Sequence, residues 1–192
     1  MKDYIMKSLR TNLVLLFSTI IFFGVIYPLV IWSIGLLLPQ QANGLPIIEN
    51  ANVIGYRNIG QSFTEAKYFW GRPSACNYNP INAVPSNLGP TNPVLINTVE
   101  DRINKFISEN PGITRSEIPS DIVTSSASGI DPDISPQAAL IQIPRIAKAR
   151  NIEPALIKKL VDEMIKEPIL GPAHVNVLEL NLSLDKLAEL NK

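Results

Sequence analysis

Residues 13–38 read LVLLFSTIIFFGVIYPLVIWSIGLLL, and this apolar stretch decides the architecture of the chain. No Asp, Glu, Lys, Arg or His lies between Thr11 and Ile48. An α-helix rises about 1.5 Å per residue, so a bilayer core of about 30 Å needs about 20 apolar residues. The stretch therefore predicts one transmembrane helix over residues 13–38, with length to spare for tilt.

A cleaved signal peptide is the alternative explanation of this segment. Signal peptides have an apolar region of about 7–15 residues that ends at small residues. Here the apolar run is longer, it ends in Leu-Leu-Leu-Pro at residues 36–39, and residues 40–43 form a weak cleavage site. The pattern favours a retained anchor. Pro28, which lies inside it, predicts a kink or a contact with a neighbouring helix.

The charges that flank the helix predict its orientation. Three basic residues and one acid lie before it, whereas the next charge beyond it is Glu49. Positively charged flanks stay in the cytoplasm. We therefore expect residues 1–12 to be cytoplasmic and residues 39–192 to form an extracytoplasmic domain of a single-pass protein in the cell membrane.

The composition of the predicted outer domain excludes some classes of protein. The chain has 17 basic and 17 acidic residues, and 14 and 16 of them remain once the three basic residues and one acid before the helix are set apart. A nucleic-acid-binding protein would show a basic patch or stripe instead. Cys76 is the one cysteine of the chain, so an internal disulfide is impossible.

The secondary-structure signals are mixed. Helices are predicted after Asn92-Pro93, after Ser135-Pro136 with a break at Pro144, and after Glu153-Pro154, because a polar cap followed by Pro is typical of a helix start. Strands or extended segments are predicted at residues 52–60, 120–125 and 175–182, with a short helix capped by Ser183 at the end. This order gives an α+β fold: one N-terminal transmembrane helix followed by a single mixed soluble domain.

A long loop rich in Pro and Asn runs from Pro73 to Pro93. Pro fixes φ and Asn tolerates turn geometry, so the composition predicts an ordered, turn-rich loop. Aromatic residues within and before it indicate that it packs against something. The residues predicted to contact a partner, together with Pro28 of the helix, are Tyr68, Phe69, Trp70, Arg72, Tyr78, Asn79 and Asn87.

Catalytic and metal-binding motifs are missing from the sequence. It has no P-loop and no dinucleotide-binding glycine pattern. The Asp-Lys-Thr-Gly of P-type pumps is also absent. One His (His174) and one Cys cannot make the usual zinc site. The serines at 125–128 lack the first glycine of a nucleophile elbow, so a turn formed by Ser128, Gly129 and Asp131 is preferred to a hydrolase that pairs Ser126 or Ser128 with His174.

Two groups of charged residues leave alternatives open. Asp131 and Asp133 would make only a weak cation site. Capping of the next helix by Asp133 or Ser135 explains the segment as well and is preferred. Arg145 and Arg150 could hold an anionic ligand or pair with the acids just upstream, and the pairing is preferred because it needs no ligand.

Several motifs follow one another along the chain, at residues 59–63, 68–75, 78–80, 86–93, 126–132, 134–139, 142–147 and 175–181. Their sequences and their order resemble the C subunit of the Kdp potassium-transporting P-type ATPase. Together with the anchor they cover nearly the whole chain. The loop 81–85 replaces a Gly-rich segment of that family, and Ile130 and Asp133 also depart from its usual residues.

The resemblance implies a non-catalytic accessory subunit of a potassium uptake pump that assembles and stabilises the complex. Its partners would be a potassium-channel-like subunit, a P-type ATPase catalytic subunit and a small membrane subunit. ATP and K⁺ are then handled by the complex, and this chain binds no cofactor of its own.

The resemblance also implies a glutamine that raises the ATP affinity of the catalytic subunit, with Gln142 as the best match and Gln137 second. An extracytoplasmic domain cannot touch cytoplasmic ATP, so we expect Gln142 to be structural or interfacial. The alternatives are a membrane-tethered extracytoplasmic hydrolase or a binding module.

Overall fold

Two units make up the chain, Met1–Pro46 and Ile47–Lys192, and the second is called the C-terminal domain below. A computed structural model describes residues 2–49 and 51–190. The predicted segments 1–12 and 39–192 contain positions that lie outside the described residues, namely Met1, Asn50, Asn191 and Lys192.

The predicted anchor is helical. Within the described residues one helix, Tyr4–Leu37, is long and apolar enough to cross a membrane, with a mean hydropathy of 2.5. The span lies within three consecutive elements, which are α1 (Lys2–Ile21), a π-helical turn (Phe22–Ile26) and α2 (Tyr27–Leu37). The short helix α3 (Pro39–Ala42) follows.

The π-helical turn ends at Ile26, two residues before Pro28. Proline lacks an N–H, and its ring clashes with the carbonyl four residues earlier in an α-helix. The N–H of Tyr27 bonds to the carbonyl of Phe22, five residues back, which widens the helix at this turn. The disturbance predicted at Pro28 therefore takes the form of a π-turn.

The C-terminal domain has an α+β fold, as predicted. Its strands are β1 (Pro46–Glu49), β2 (Asn52–Tyr56), β3 (Asp133–Ile134) and β4 (Val175–Asn176). Its helices are α4 (Pro93–Glu109), α5 (Pro136–Leu140), α6 (Ile143–Arg150), α7 (Pro154–Met164) and α8 (Val177–Leu190). β1 pairs with β2, and β3 pairs with β4 in antiparallel register.

The predicted helix starts are confirmed. The side chain of Asn92 accepts from the N–H of Val94 at the start of α4, and Ser135 accepts from the N–H of Ala138 at the start of α5. The break predicted at Pro144 separates α5 from α6. These starts depend on local capping chemistry, which the sequence displays directly.

Two strand predictions are wrong. Only Val175 and Asn176 of the predicted strand 175–182 form a strand, because the side chain of Asn176 accepts from the N–H of Glu179 and begins helix α8 there. Ser183 therefore lies inside α8 instead of capping a helix. Residues 120–122 form a 3₁₀ turn, with Thr124 bonded back to Ser120.

The core of the C-terminal domain gathers apolar residues from most of its elements. Ile146 of α6, Ile157 and Val161 of α7, and Leu180 and Leu184 of α8 are all fully buried. Leu180 and Leu184 are four residues apart, which is the spacing of residues on one face of a helix. This packing places one face of α6 and α8 against the segment before the Asn/Pro loop.

Candidate functional site

Residues 66–70, here called the clamped segment, begin in a turn in which the N–H of Tyr68 donates to the carbonyl of Glu65 at 3.1 Å. After this turn, side chains hold the backbone where a sheet would use a neighbouring strand. Asn181 of α8 pairs with both backbone groups of Phe69: its Oδ1 accepts from the N–H at 2.8 Å and its Nδ2 donates to the carbonyl at 3.0 Å. Gln142 does the same for Trp70, at 2.8 and 3.2 Å. A side-chain amide carries one acceptor and a donor like a peptide, so the two amides replace a strand.

Arg145 of α6 also bonds to the backbone of the clamped segment. Its guanidinium donates to the carbonyls of Ala66 and Tyr68, to Asn110 Oδ1 at 3.0 Å and to Gln142 Oε1 at 2.7 Å. The guanidinium also lies over the Trp70 ring, 4.0 Å from its centroid. The side chain is buried, and burial lowers the pKa of Arg145 to about 10. Arg145 therefore stays charged at neutral pH, and the oxygens that accept its hydrogen bonds belong to this chain.

Arg150, also in α6, bonds to the start of the clamped segment. It donates to the carbonyl of Lys67 at 2.7 Å and to Asp185 Oδ1 at 2.6 Å. The hydroxyl of Tyr68 donates to the other oxygen of Asp185 at 3.2 Å. The prediction that Arg145 and Arg150 pair with acids just upstream is wrong, because these arginines reach carbonyls of the clamped segment and an acid downstream.

The two glutamines singled out by the resemblance lie in different environments. Gln142 is fully buried, and its amide bonds to Trp70, to Arg145 and to the carbonyl of Ala138. Gln137 lies on an open groove and donates to the carbonyl of Glu117 at 3.0 Å. The amide of Gln142 thus has its hydrogen bonds inside the domain.

The aromatic residues predicted to contact a partner separate into buried and accessible ones. Phe69 is fully buried in the core, so its side chain packs inside the domain and the prediction of a surface contact is wrong for it. Trp70 is half-buried and meets Phe106 edge-on, with ring centroids 6.4 Å apart.

Trp70 lines a groove of about 230 Å³. Phe63 and Phe106 give it an aromatic wall, and Lys105 and Glu109 lie on its rim. This groove brings an apolar surface and charged groups together on the accessible side of the clamped segment.

A second set of contacts joins the Asn/Pro loop to residues 128–131. Arg72 forms an ion pair with Asp131 at 2.9 Å. The hydroxyl of Tyr78 donates to the carbonyl of Arg72, and Ser74 donates to the carbonyl of Gly129 at 2.6 Å. Ser128 Oγ accepts from the N–H of Ile130, two residues on, as a turn requires.

The other predicted contact residues of the loop are exposed. Asn79 caps a 3₁₀ turn by accepting from the N–H of Ile81 at 3.0 Å. Asn87 has a positive φ of 54°, a conformation that Asn tolerates better than most residues. Both side chains therefore have a local structural reason for their identity.

Tyr78 links the stability of this junction to pH. Burial, followed by the charge of Asp131, raises the pKa of Tyr78 to about 12. The folded chain then holds the phenolic proton more tightly than the unfolded chain, so stability should fall as the pH rises above about 10 towards 12. Urea unfolding between pH 9 and 11.5 should show a shallower loss for Tyr78→Phe, and parallel losses in both chains would contradict this role.

The serines of the hydrolase alternative are not joined to its base. Ser126 is buried and accepts from the N–H of Gly129 at 2.9 Å. His174 pairs through its backbone with Lys166, and its Nδ1 lies 3.2 Å from the carbonyl of Pro172. Across the described parts of the chain, no hydrogen bond connects His174 to Ser126 or Ser128.

The carboxylates of the cation alternative are partnered within the chain. Asp131 accepts from Arg72 and from the N–H of Asp133. Asp133 accepts from Asn176 Nδ2 at 3.1 Å, and Ser135 caps the next helix. In residues 2–49 and 51–190 no group of three His, Cys, Asp or Glu side chains is placed to hold a metal ion.

An apolar tip that sequence reasoning missed lies between Lys166 and His174. These two residues pair through their backbones at 2.9 and 3.0 Å, and the chain between them projects Ile169 and Leu170, which are 102% and 89% exposed. Two adjacent aliphatic residues flanked by prolines in a turn are the signal that could have found it.

Comparison with known proteins gives matches along nearly the entire sequence. The profile of the family KdpC, described as K⁺-transporting ATPase, c chain, matches residues 9–186. Three relatives, each called potassium-transporting ATPase KdpC subunit, come from Flavobacterium johnsoniae, Bacteroides fragilis and Caldanaerobacter subterraneus. They are 48%, 40% and 42% identical to this chain. The alignments cover 95%, 95% and 100% of this chain and 100%, 98% and 98% of the respective relatives.

Proposed function

The chain belongs to the KdpC family, and as a subunit of the K⁺-transporting ATPase that is not catalytic by itself, we propose that it assembles and stabilises the pump. The family assignment confirms the resemblance that the motifs indicated. In this proposal the anchor lies beside the transmembrane helices of the channel-like subunit, and the C-terminal domain braces the outer face of the complex.

The buried polar centre of the C-terminal domain is the observation that carries this proposal. Gln142, Arg145 and Asn181 are all buried, and their side chains bond to the backbone of the clamped segment and to one another. We interpret this centre as structural: it fixes the shape of a surface, and ATP hydrolysis and K⁺ transport are carried out by other subunits. The surface it fixes carries Trp70 and its groove, which fits contact with a partner protein.

The orientation predicted from the flanking charges favours an indirect effect on ATP use. Three basic residues before the helix favour a cytoplasmic N-terminus and an outer C-terminal domain. The amide of Gln142 is engaged inside that domain. We therefore assign any increase in the ATP affinity of the catalytic subunit to contacts transmitted through the other subunits.

Two tagged single-cysteine variants test the orientation and the accessory role together. Both carry Cys76→Ser, and one adds Ile169→Cys at the exposed tip while the other adds Lys7→Cys before the helix. A membrane-impermeant maleimide should label residue 169 in intact cells and residue 7 only after permeabilisation, and the tag should recover the pump subunits in mild detergent. Labelling in the reverse order would overturn the orientation, and a chain recovered alone would overturn the accessory role.

A further inference from the structure

We propose that the π-helical turn Phe22–Ile26 is where the anchor docks on a transmembrane helix of another pump subunit, and that this helix donates a hydrogen bond from a hydroxyl or amide side chain to the carbonyl of Phe23 or Gly24. The inference rests on the accessory role proposed above and names the chemistry of the contact.

The turn is short of one hydrogen-bond donor. The N–H of Tyr27 is committed to the carbonyl of Phe22, five residues back. Residue 28 is Pro and has no N–H. The carbonyl that would take that N–H belongs to Gly24 in α-helical register, or to Phe23 in the π-helical register of this turn. The π-turn thus relieves the proline ring but does not replace the donor.

The missing donor matters because of where the turn lies. It falls in the middle of the apolar helix Tyr4–Leu37, where a bilayer core offers no water and an unpaired backbone group costs several kcal/mol. The nearby hydroxyls of Thr19 and Ser33 bond the carbonyls of Leu16 and Leu29, at 2.9 and 2.7 Å. Neither of these hydroxyls reaches the turn.

Gly24 makes the carbonyls accessible. A Cβ built on Gly24 would meet no heavy atom of the rest of this chain within 4 Å, so no side chain from elsewhere in the chain covers this residue. Phe22 and Phe23 pack edge-on, with ring centroids 5.0 Å apart, and are 50% and 64% exposed. Gly24 directly follows these two residues and has no side chain, so a partner backbone can approach it closely, as happens at small residues where membrane helices meet.

The partner that docks on the π-helical turn is a helix with a polar side chain, because lipid tails carry no hydrogen-bond donor. Interhelical hydrogen bonds in membranes contribute about 0.6–2 kcal/mol, which corresponds to an affinity change of roughly threefold to thirtyfold. Gly24 and Gly35 are too far apart for a G-x-x-x-G pair, so a second copy of this chain is the less suitable occupant.

The test titrates the purified full-length chain, in mild detergent, against pump prepared without it. Gly24→Val closes the open space, and Gly35→Val is the matched control in the same helix. Pro28→Ala restores the amide and removes the need for an outside donor. We expect Gly35→Val to bind like the native chain, Pro28→Ala to bind roughly threefold to thirtyfold more weakly, and Gly24→Val to bind at least as weakly as Pro28→Ala.

Each outcome decides a different point. Failure of the native chain to bind the pump would overturn the accessory role itself. Native binding with equal effects of Gly24→Val and Gly35→Val, or with no effect of Pro28→Ala, would overturn the docking site alone. Recovery of a second, differently tagged copy of the chain that depends on Gly24 would assign the turn to self-association instead. Pro28→Ala decides the matter if Gly24→Val does not accumulate in membranes.

Discussion

Arg145→Met should lower the free energy of unfolding of the C-terminal domain by about 3–5 kcal/mol. Methionine fills a similar volume but leaves the carbonyls of Ala66 and Tyr68 and Oδ1 of Asn110 without their donor. Oε1 of Gln142 keeps only the N–H of Trp70. Each buried acceptor that loses its partner costs about 1–3 kcal/mol, and relaxation of the clamped segment limits the sum. Urea unfolding of the full-length chain in mild detergent measures the loss, with Trp70 as the reporter in a Trp32→Phe background.

Two further variants separate the buried contacts from charge as such. Arg115→Met removes an arginine that pairs with Glu100 at the surface, and exposed pairs contribute about 0–1 kcal/mol. Arg145→Lys keeps the charge but loses the planar fork that reaches several oxygens at once, so it should recover only part of the stability. A loss in Arg115→Met as large as that in Arg145→Met would contradict the proposed role of the clamp.

The features that the sequence predicted well are local ones. Asn92 and Ser135 cap helices through bonds to amides two or three residues away. The apolar helix before residue 39 follows from composition alone, because only a long run of such residues can span a bilayer. The family resemblance depended on contiguous motifs and held for the same reason. In each case the cause and the effect lie within a few residues of each other.

The features that the sequence did not predict depend on distant residues. Asn181 meets Phe69 across 112 positions of the chain, and periodicity along the chain cannot register such a pair. The run 175–182 satisfies both a strand and a helix pattern, and the bond from Glu179 N–H to Asn176 settles it as a helix. Phe69 was predicted at the surface because a run of aromatics does not reveal which member faces the core.

Gly60 is needed because the chain approaches residue 131 closely there, although the φ of Gly60 is not positive. The N–H of Gly60 donates to the carbonyl of Ile130 at 2.8 Å. A Cβ at residue 60 would lie 2.4 Å from the carbonyl oxygen of Asp131 and 2.8 Å from Cε1 of Tyr78. One of these neighbours is backbone, so the clash cannot be relieved by a rotamer change alone.

Gly60→Ala should therefore destabilise the C-terminal domain by about 2–4 kcal/mol, since overpacking costs about 1–3 kcal/mol and separation of the segments weakens a hydrogen bond of about 1 kcal/mol. The matched control is Gly89→Ala, where a Cβ meets no heavy atom within 4 Å and φ is not positive. That change should be neutral or stabilise by about 0.4–1 kcal/mol, because alanine restricts the unfolded chain. Urea midpoints of the two variants provide the comparison, and equal midpoints would show that residues 60 and 131 separate without cost.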